Sequence, residues 1–156
     1  MINALQKLLR AEHLLCRVDA ASKKRCFEIV ASHIALQNPA LDEELVYTKL
    51  LAREKLGSTG LGNGVAVPHC RVEGCHSPTG YLITLANSLD YDAPDGVAVD
   101  LLFVLLAPLE ATQEHLDLLA DVARCFSDTE FCVGLRSASD ASLLLQAAQR
   151  PLSSPA

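Results

Sequence analysis

The chain reads as an α/β protein of three layers, α/β/α, with a central mixed sheet of about four to five strands flanked by helices. Three observations predict this. Apolar residues recur at helical spacing in the first third and again after Pro108, while strand-like runs occupy the middle. The run 97–106 is apolar on both faces except at Asp100, the pattern of a strand covered by helices on each side. Of the 156 residues 50% are hydrophobic and 21% charged, with no Trp, so one core built from Leu, Val, Ile and Ala is expected. The organisation predicted is a single domain over 1–150 followed by a flexible tail over 151–156.

Taken in order, residues 2–10 space Ile2, Leu5, Leu8 and Leu9 as a short amphipathic helix does, and 14–18 predict a short strand. Ser22 is placed to cap a helix over 23–37 in which Cys26, Ile29, Val30 and Ile34 share one face, and Asn38-Pro39 ends it. Asp42 caps the next helix, with Leu45, Val46 and Leu50 as its apolar stripe and Gly57 at the left-handed C-terminal position. The stretch Ser58-Thr59-Gly60-Leu61-Gly62-Asn63-Gly64 packs three glycines into a loop ahead of the extended run Val65-Ala66-Val67. Residues 80–86 and 97–106, separated by Asp95-Gly96, read as neighbouring strands. Thr112 then caps a helix bearing Leu116, Leu119, Val122, Ala123 and Phe126. Asp128 starts a shorter one with Phe131, Cys132 and Leu135, and Ser139 a last one with Leu143, Leu144 and Ala147.

Composition narrows the function. A net charge of -6 repels phosphate backbones and anionic headgroups, so no nucleic acid is expected as a partner. The longest wholly apolar run, 101–107, is far below the roughly 20 residues that span a bilayer, so no membrane insertion is expected. The first residues lack the apolar core of a signal peptide, and a cytoplasmic location is the expectation. The six cysteines read as reduced thiols, since a chain with this aliphatic content needs no staples. Cys70 and Cys75 with His69 and His76 match no standard zinc spacing, and neither metal nor other cofactor is expected.

The residues that could carry chemistry are Arg53 at a helix end, the glycine loop with Gly60, Gly62, Asn63 and Gly64, and His69. Glycines let main-chain N–H groups turn toward an anion, although this loop matches neither a nucleotide P-loop nor a dinucleotide fingerprint. Pro68 stiffens the segment that presents His69, and a neutral imidazole with one nitrogen held by a hydrogen bond offers the other as a nucleophile. Spacing alone also allows an ordinary hydrogen-bonded histidine at 69, a solvated arginine at 53 and a half-buried stripe-edge position at His115.

The unbroken stretch Arg53-Glu54-Lys55-Leu56-Gly57-Ser58-Thr59-Gly60-Leu61-Gly62-Asn63-Gly64-Val65-Ala66-Val67-Pro68-His69 resembles the signature of the nitrogen-regulatory enzyme IIA proteins of the bacterial phosphotransferase system. More broadly it is similar to the fructose and mannitol enzyme IIA domains. The likeness extends to Ser22-Lys23-Lys24-Arg25, to Val99-Asp100-Leu101-Leu102-Phe103 and to His115-Leu116, and so covers most of the chain. The resemblance implies a phosphoryl carrier in which His69 accepts phosphate through Nε2 from a histidine phosphocarrier protein. By the same resemblance Arg53 and His115 complete that site, while the glycine loop is expected to help hold the phosphate through its main-chain amides. It further implies that phosphorylation state governs regulatory target proteins such as potassium-transport components or sensor kinases. A sugar-specific enzyme IIA passing phosphate to enzyme IIB, or a binding module without the chemistry, are the alternatives. One departure stands out: Cys70 follows the histidine where the family usually has glycine, a residue that reaches positive φ more cheaply.

Overall fold

A computed structural model describes residues 4–152 and forms a mixed sheet between two layers of helices. The elements run α1 (Ala4–Leu8), β1 (Leu14–Val18), α2 (Lys23–Gln37), α3 (Glu43–Leu56), β2 (Gly60–Gly62), β3 (Val65–Ala66), β4 (His69–Arg71), β5 (Thr79–Leu89), β6 (Val99–Ala107), α4 (Gln113–Phe126), α5 (Thr129–Ser137) and α6 (Ala141–Ala148). The start of the expected first helix at Ile2, and residues 153–156 of the expected tail, lie outside the described residues. No helix among the described residues is long and apolar enough to cross a membrane.

The sheet is organised around β6. It pairs antiparallel with β5 and parallel with β3 and β4, while β1 runs parallel to β5 and β2 antiparallel to β3. That makes six strands among the described residues, against the four to five expected, because two short ones sit where the sequence shows only loop. Period-2 alternation sends Leu102, Val104 and Leu106 into a core beneath α2 and α3, and Leu101, Phe103 and Leu105 into a second core beneath α1, α4, α5 and α6. All six are fully buried, so the run apolar on both faces is a central strand with helices on each side.

Several caps follow from local chemistry. The Ser22 hydroxyl accepts from Arg25 N at 3.1 Å and the Asp42 carboxylate from Leu45 N at 2.9 Å. Asp128 caps α5 through Phe131 N at 3.0 Å. Elsewhere the expectation needs correction. Thr112 occupies the N-cap position of α4 but makes no side-chain cap bond, and α6 is capped by Asp140, through Leu143 N at 2.8 Å, instead of starting at Ser139. Gly57 ends α3 in an extended positive-φ conformation (φ 155°, ψ 142°) and not in the left-handed helical one. The α4 stripe is His115, Val122, Cys125 and Phe126, which leaves Leu116, one residue out of phase, 59% exposed. Leu143 is likewise exposed while Leu144, Ala147 and Ala148 fill the core. All six cysteines are free thiols.

Gly80 on β5 lies directly against the Phe103 ring, with no room for a Cβ. Gly80→Ala should therefore lower the urea unfolding free energy by about 1–3 kcal/mol, the usual range for overpacking a tight core. An unchanged unfolding midpoint would show that the two central strands part easily, contrary to their packing.

Candidate functional site

The site lies where an edge strand is broken. Val65 and Ala66 pair with Leu101 and Leu102, and His69 to Arg71 pair with Leu105 to Ala107, so β3 and β4 are two pieces of one strand laid along β6. Pro68 interrupts them because it has no N–H for the ladder, although its carbonyl still accepts from Leu105 N at 3.0 Å. Val67 faces away from β6: its N–H donates to the Thr59 carbonyl at 3.0 Å, one step beyond the Gly60–Ala66 pairing of β2 with β3.

The Val67 carbonyl receives the His69 ring, at 2.7 Å from Nδ1. A carbonyl can only accept, so Nδ1 carries the proton and Nε2 keeps its lone pair. The other nitrogen agrees, for Arg53 Nε–H donates to His69 Nε2 at 3.3 Å. Arg53 comes from the last turn of α3 and is steadied by a 2.8 Å bond from Nη1 to the Gly57 carbonyl. From the first turn of α4 the His115 ring approaches His69, with centroids 5.6 Å apart and planes inclined at 53°. His115 is 7% exposed and its buried Nδ1 has no hydrogen-bond partner among the described residues.

Both imidazoles are held neutral at pH 7. Burial lowers the His69 pKa; the Val67 bond pulls it back up, and the Arg53 charge pushes it down further. Burial, followed by the nearby His69 and Arg71, drives His115 down to about 4. Neutrality is what leaves a lone pair available on His69.

Two depressions flank the His69 ring and share Arg53. One, about 590 Å³, is lined by Lys49, Arg71 and His115 together with leucines; the other, about 200 Å³, by Ser58, Thr59 and Gly60. Neither is lined by a carboxylate, in a chain whose net charge is -6, so this is a place that can receive an anion.

Of the residues singled out in the sequence, His69, Arg53, His115 and Gly60 are brought together. Gly62, Asn63 and Gly64 line neither depression. They form the tight turn between β2 and β3, with φ values of 97°, 57° and 83°. There the Asn63 amide already donates to Asp95 Oδ2 at 2.9 Å, and its carbonyl accepts from Arg136 Nη2 at 2.7 Å. Those glycines serve the reversal of the chain, which only left-handed backbone allows.

Lys49 and Arg71 were not anticipated. The signals lay in plain spacing: Lys49 is one helical turn before Arg53, and Arg71 follows His69 by the period of a strand. Cys70, between them in β4, is absent from the positive-φ residues and points into the core, where burial pushes its thiol up to about 12. A cysteine fits that extended position without strain, and its thiol stays protonated.

Residues 7–149 match the family described as phosphoenolpyruvate-dependent sugar phosphotransferase system, EIIA 2. The chain is 46% identical over 142 residues to a nitrogen regulatory protein of Pseudomonas aeruginosa, covering 91% of this chain and 92% of that one. It is 39% identical over 143 residues to the nitrogen regulatory protein of Escherichia coli, covering 91% and 87%. Among solved structures, nitrogen regulatory protein IIA-Ntr from Neisseria meningitidis superposes with a TM-score of 0.84 at 39% identity over 91% of this chain and 97% of that chain. IIA mannitol from Escherichia coli shares the fold, with a TM-score of 0.73 at 20% identity over 90% and 98%.

The buried His115, whose Nδ1 has no hydrogen-bond partner among the described residues, gives a pH signature. Its proton is taken up near pH 6.5 in the unfolded chain but only near pH 4 in the folded one, so the unfolded state binds more protons between those values. Stability should fall as pH drops from 6.5 toward 4, and His115→Leu should lose part of that slope in urea titrations at successive pH values. Identical slopes in the two proteins would remove His115 as a source.

Proposed function

This chain belongs to the EIIA 2 family of the phosphoenolpyruvate-dependent sugar phosphotransferase system, and we propose from that premise that His69 is its phosphoryl-carrying residue. The protein is a phosphoryl-carrier regulator of the nitrogen phosphotransferase type, as its 46% identity to a nitrogen regulatory protein supports. The mannitol enzyme IIA of Escherichia coli shares the fold at 20% identity.

One observation carries the site assignment: the two ring nitrogens of His69 are held by different partners, which fixes the tautomer with Nε2 bare of hydrogen. In the transfer, the Nε2 lone pair attacks the phosphorus of a phosphohistidine on a carrier protein. The new N–P bond forms as the donor's N–P bond breaks, and the donor imidazole leaves with its electron pair. The Nδ1 proton of His69 stays on Nδ1, where the Val67 carbonyl takes up part of the positive charge the ring acquires. Arg53 moves from Nε2 to the arriving phosphoryl oxygens, which its planar guanidinium can grip in pairs. His115, neutral and with a nitrogen unspent, can donate a hydrogen bond to those oxygens from Nδ1 or Nε2 according to tautomer.

The donor is a protein. Leu56, Leu61, Leu109 and Leu116 stand 47–85% exposed around the two depressions, an apolar collar that suits a macromolecular surface. Phosphorylation places close to two negative charges inside this collar, which is the physical basis for a partner choice that depends on phosphorylation. Potassium-transport components and sensor kinases are the regulatory targets expected, in the cytoplasm.

Incubation with enzyme I, a histidine phosphocarrier and phosphoenolpyruvate should label the chain on one histidine, and His69→Ala should take up no label. Labelling that persists in His69→Ala would overturn the assignment. Arg53→Met should slow uptake by about a hundredfold, the usual loss on deleting one transition-state donor. Leu116→Gln, which adds no charge to the depression, should slow uptake from the carrier protein far more than labelling by the small donor phosphoramidate, since the apolar collar serves docking.

A further inference from the structure

One buried carboxylate has no part in the transfer described above. Glu54 follows Arg53 in α3 but reaches away from the depressions, and it is 8% exposed. Its Oε2 accepts from Lys23 Nζ at 3.0 Å. Its Oε1 accepts from the Thr59 hydroxyl at 2.5 Å and from the Tyr91 hydroxyl at 3.1 Å. The Thr59 amide lies 3.2 and 3.3 Å from the two oxygens. The Lys23 ammonium also sits 4.3 Å from the centre of the Tyr91 ring. Burial by itself would raise the Glu54 pKa, but the Thr59 and Lys23 bonds outweigh it and hold the group ionised.

Four separate parts of the chain meet on this one side chain: the start of α2, the end of α3, the segment before β2 and the connection between β5 and β6. The part that matters for His69 is Thr59. Its carbonyl accepts from Val67 N–H at 3.0 Å, and the Val67 carbonyl accepts from His69 Nδ1–H at 2.7 Å. The second ring nitrogen is held by Arg53, the residue next to Glu54 on the same helical turn. Both holds on the imidazole therefore trace back to the place where Glu54 pins α3 against the Thr59 segment.

We propose that Glu54, anchored by Lys23, is a positioning residue for phosphoryl transfer at His69: by clamping Thr59 it keeps the Thr59–Val67–His69 chain of hydrogen bonds in register, and so keeps the ring in the one tautomer and orientation that bares Nε2. The inference rests on the carrier reading of His69. Loosening Thr59 lets the Val67 carbonyl shift, and a ring released at Nδ1 can turn over and present that nitrogen instead. A group that acts only on stability would leave the tautomer of the folded ring untouched.

The test uses the full chain as wild type, Glu54→Gln and Thr59→Val, the last lacking the hydroxyl while keeping the amide. ¹⁵N NMR of the His69 ring reads the tautomer, phosphoramidate serves as the phosphoryl donor, and ³¹P NMR distinguishes phosphate on Nε2 from phosphate on Nδ1. Folded Glu54→Gln should take up phosphate ten- to a hundredfold more slowly, the scale set by a misplaced reacting group. It should also show a mixed tautomer and a measurable Nδ1 product, with Thr59→Val in between. Wild-type rate, tautomer and product position in folded Glu54→Gln would overturn the proposal. Should Glu54→Gln fail to fold, the same three values unchanged in Thr59→Val would overturn it equally. Absence of label on wild-type His69 would instead strike the carrier reading, while the tautomer comparison would still decide the role of Glu54.

Discussion

The hold of the Val67 carbonyl on the His69 ring is the interaction on which the site depends. The strand laid along β6 turns only every second residue toward it, so Val67 faces away, toward β2. Proline cannot donate, and between Ala66 and His69 only the Pro68 carbonyl bonds to β6, accepting from Leu105 N. Val67 gives its N–H to Thr59 and its carbonyl to the His69 ring. A main-chain carbonyl thus sets the tautomer of the ring two residues on. The rigid backing for this comes from β6, buried at every position but Asp100 and packed on both faces by apolar side chains.

Electrostatics complete what the broken strand begins. Burial lowers the pKa of both histidines beside the guanidinium of Arg53, so the resting site is a neutral imidazole with a bare nitrogen next to a cation. Lys49 and Arg71 extend the positive side of the depression, and no carboxylate lines it. Glu54 shows how an acid can lie next in sequence to Arg53 without cancelling it: its charge is spent on Lys23, Thr59 and Tyr91 beneath the surface. On the carrier role proposed for His69, donors already in place need little reorganisation when the phosphoryl group arrives.

The glycine-rich segment illustrates a different economy. Three successive residues, Gly62, Asn63 and Gly64, take positive φ to reverse the chain between β2 and β3. The turn is then locked from outside, by Asp95 on the Asn63 amide and by Arg136, which bridges the Asn63 carbonyl and the Asp100 carboxylate at 3.0 Å. Asp100, the one polar interruption in β6, thereby finds its role as the anchor of α5 to that turn. Gly60 alone of the group stands beside His69, close against Ala93 on its other side.

Local chemistry made much of this legible in the amino-acid sequence. Helices α2, α3 and α5 begin where Ser22, Asp42 and Asp128 can cap them, β1 runs over the expected 14–18, and β6 is buried on both faces as its composition demands. Arg53 and His69 can be named from the 53–69 stretch and its resemblance to the enzyme IIA proteins, and His115 from that resemblance alone. What only the tertiary structure decided are the relations between segments distant in the chain. These include the strands β2 and β4, too short for any periodicity to announce, and the phase of α4 that buries His115 and exposes Leu116. They also include the fate of the loop glycines and the Glu54 junction. Caps and alternation depend on neighbours within a turn or two and so are written locally, whereas the partners of a buried carboxylate or a turn amide are fixed only when layers pack, because only then does water leave and each polar group require a specific substitute.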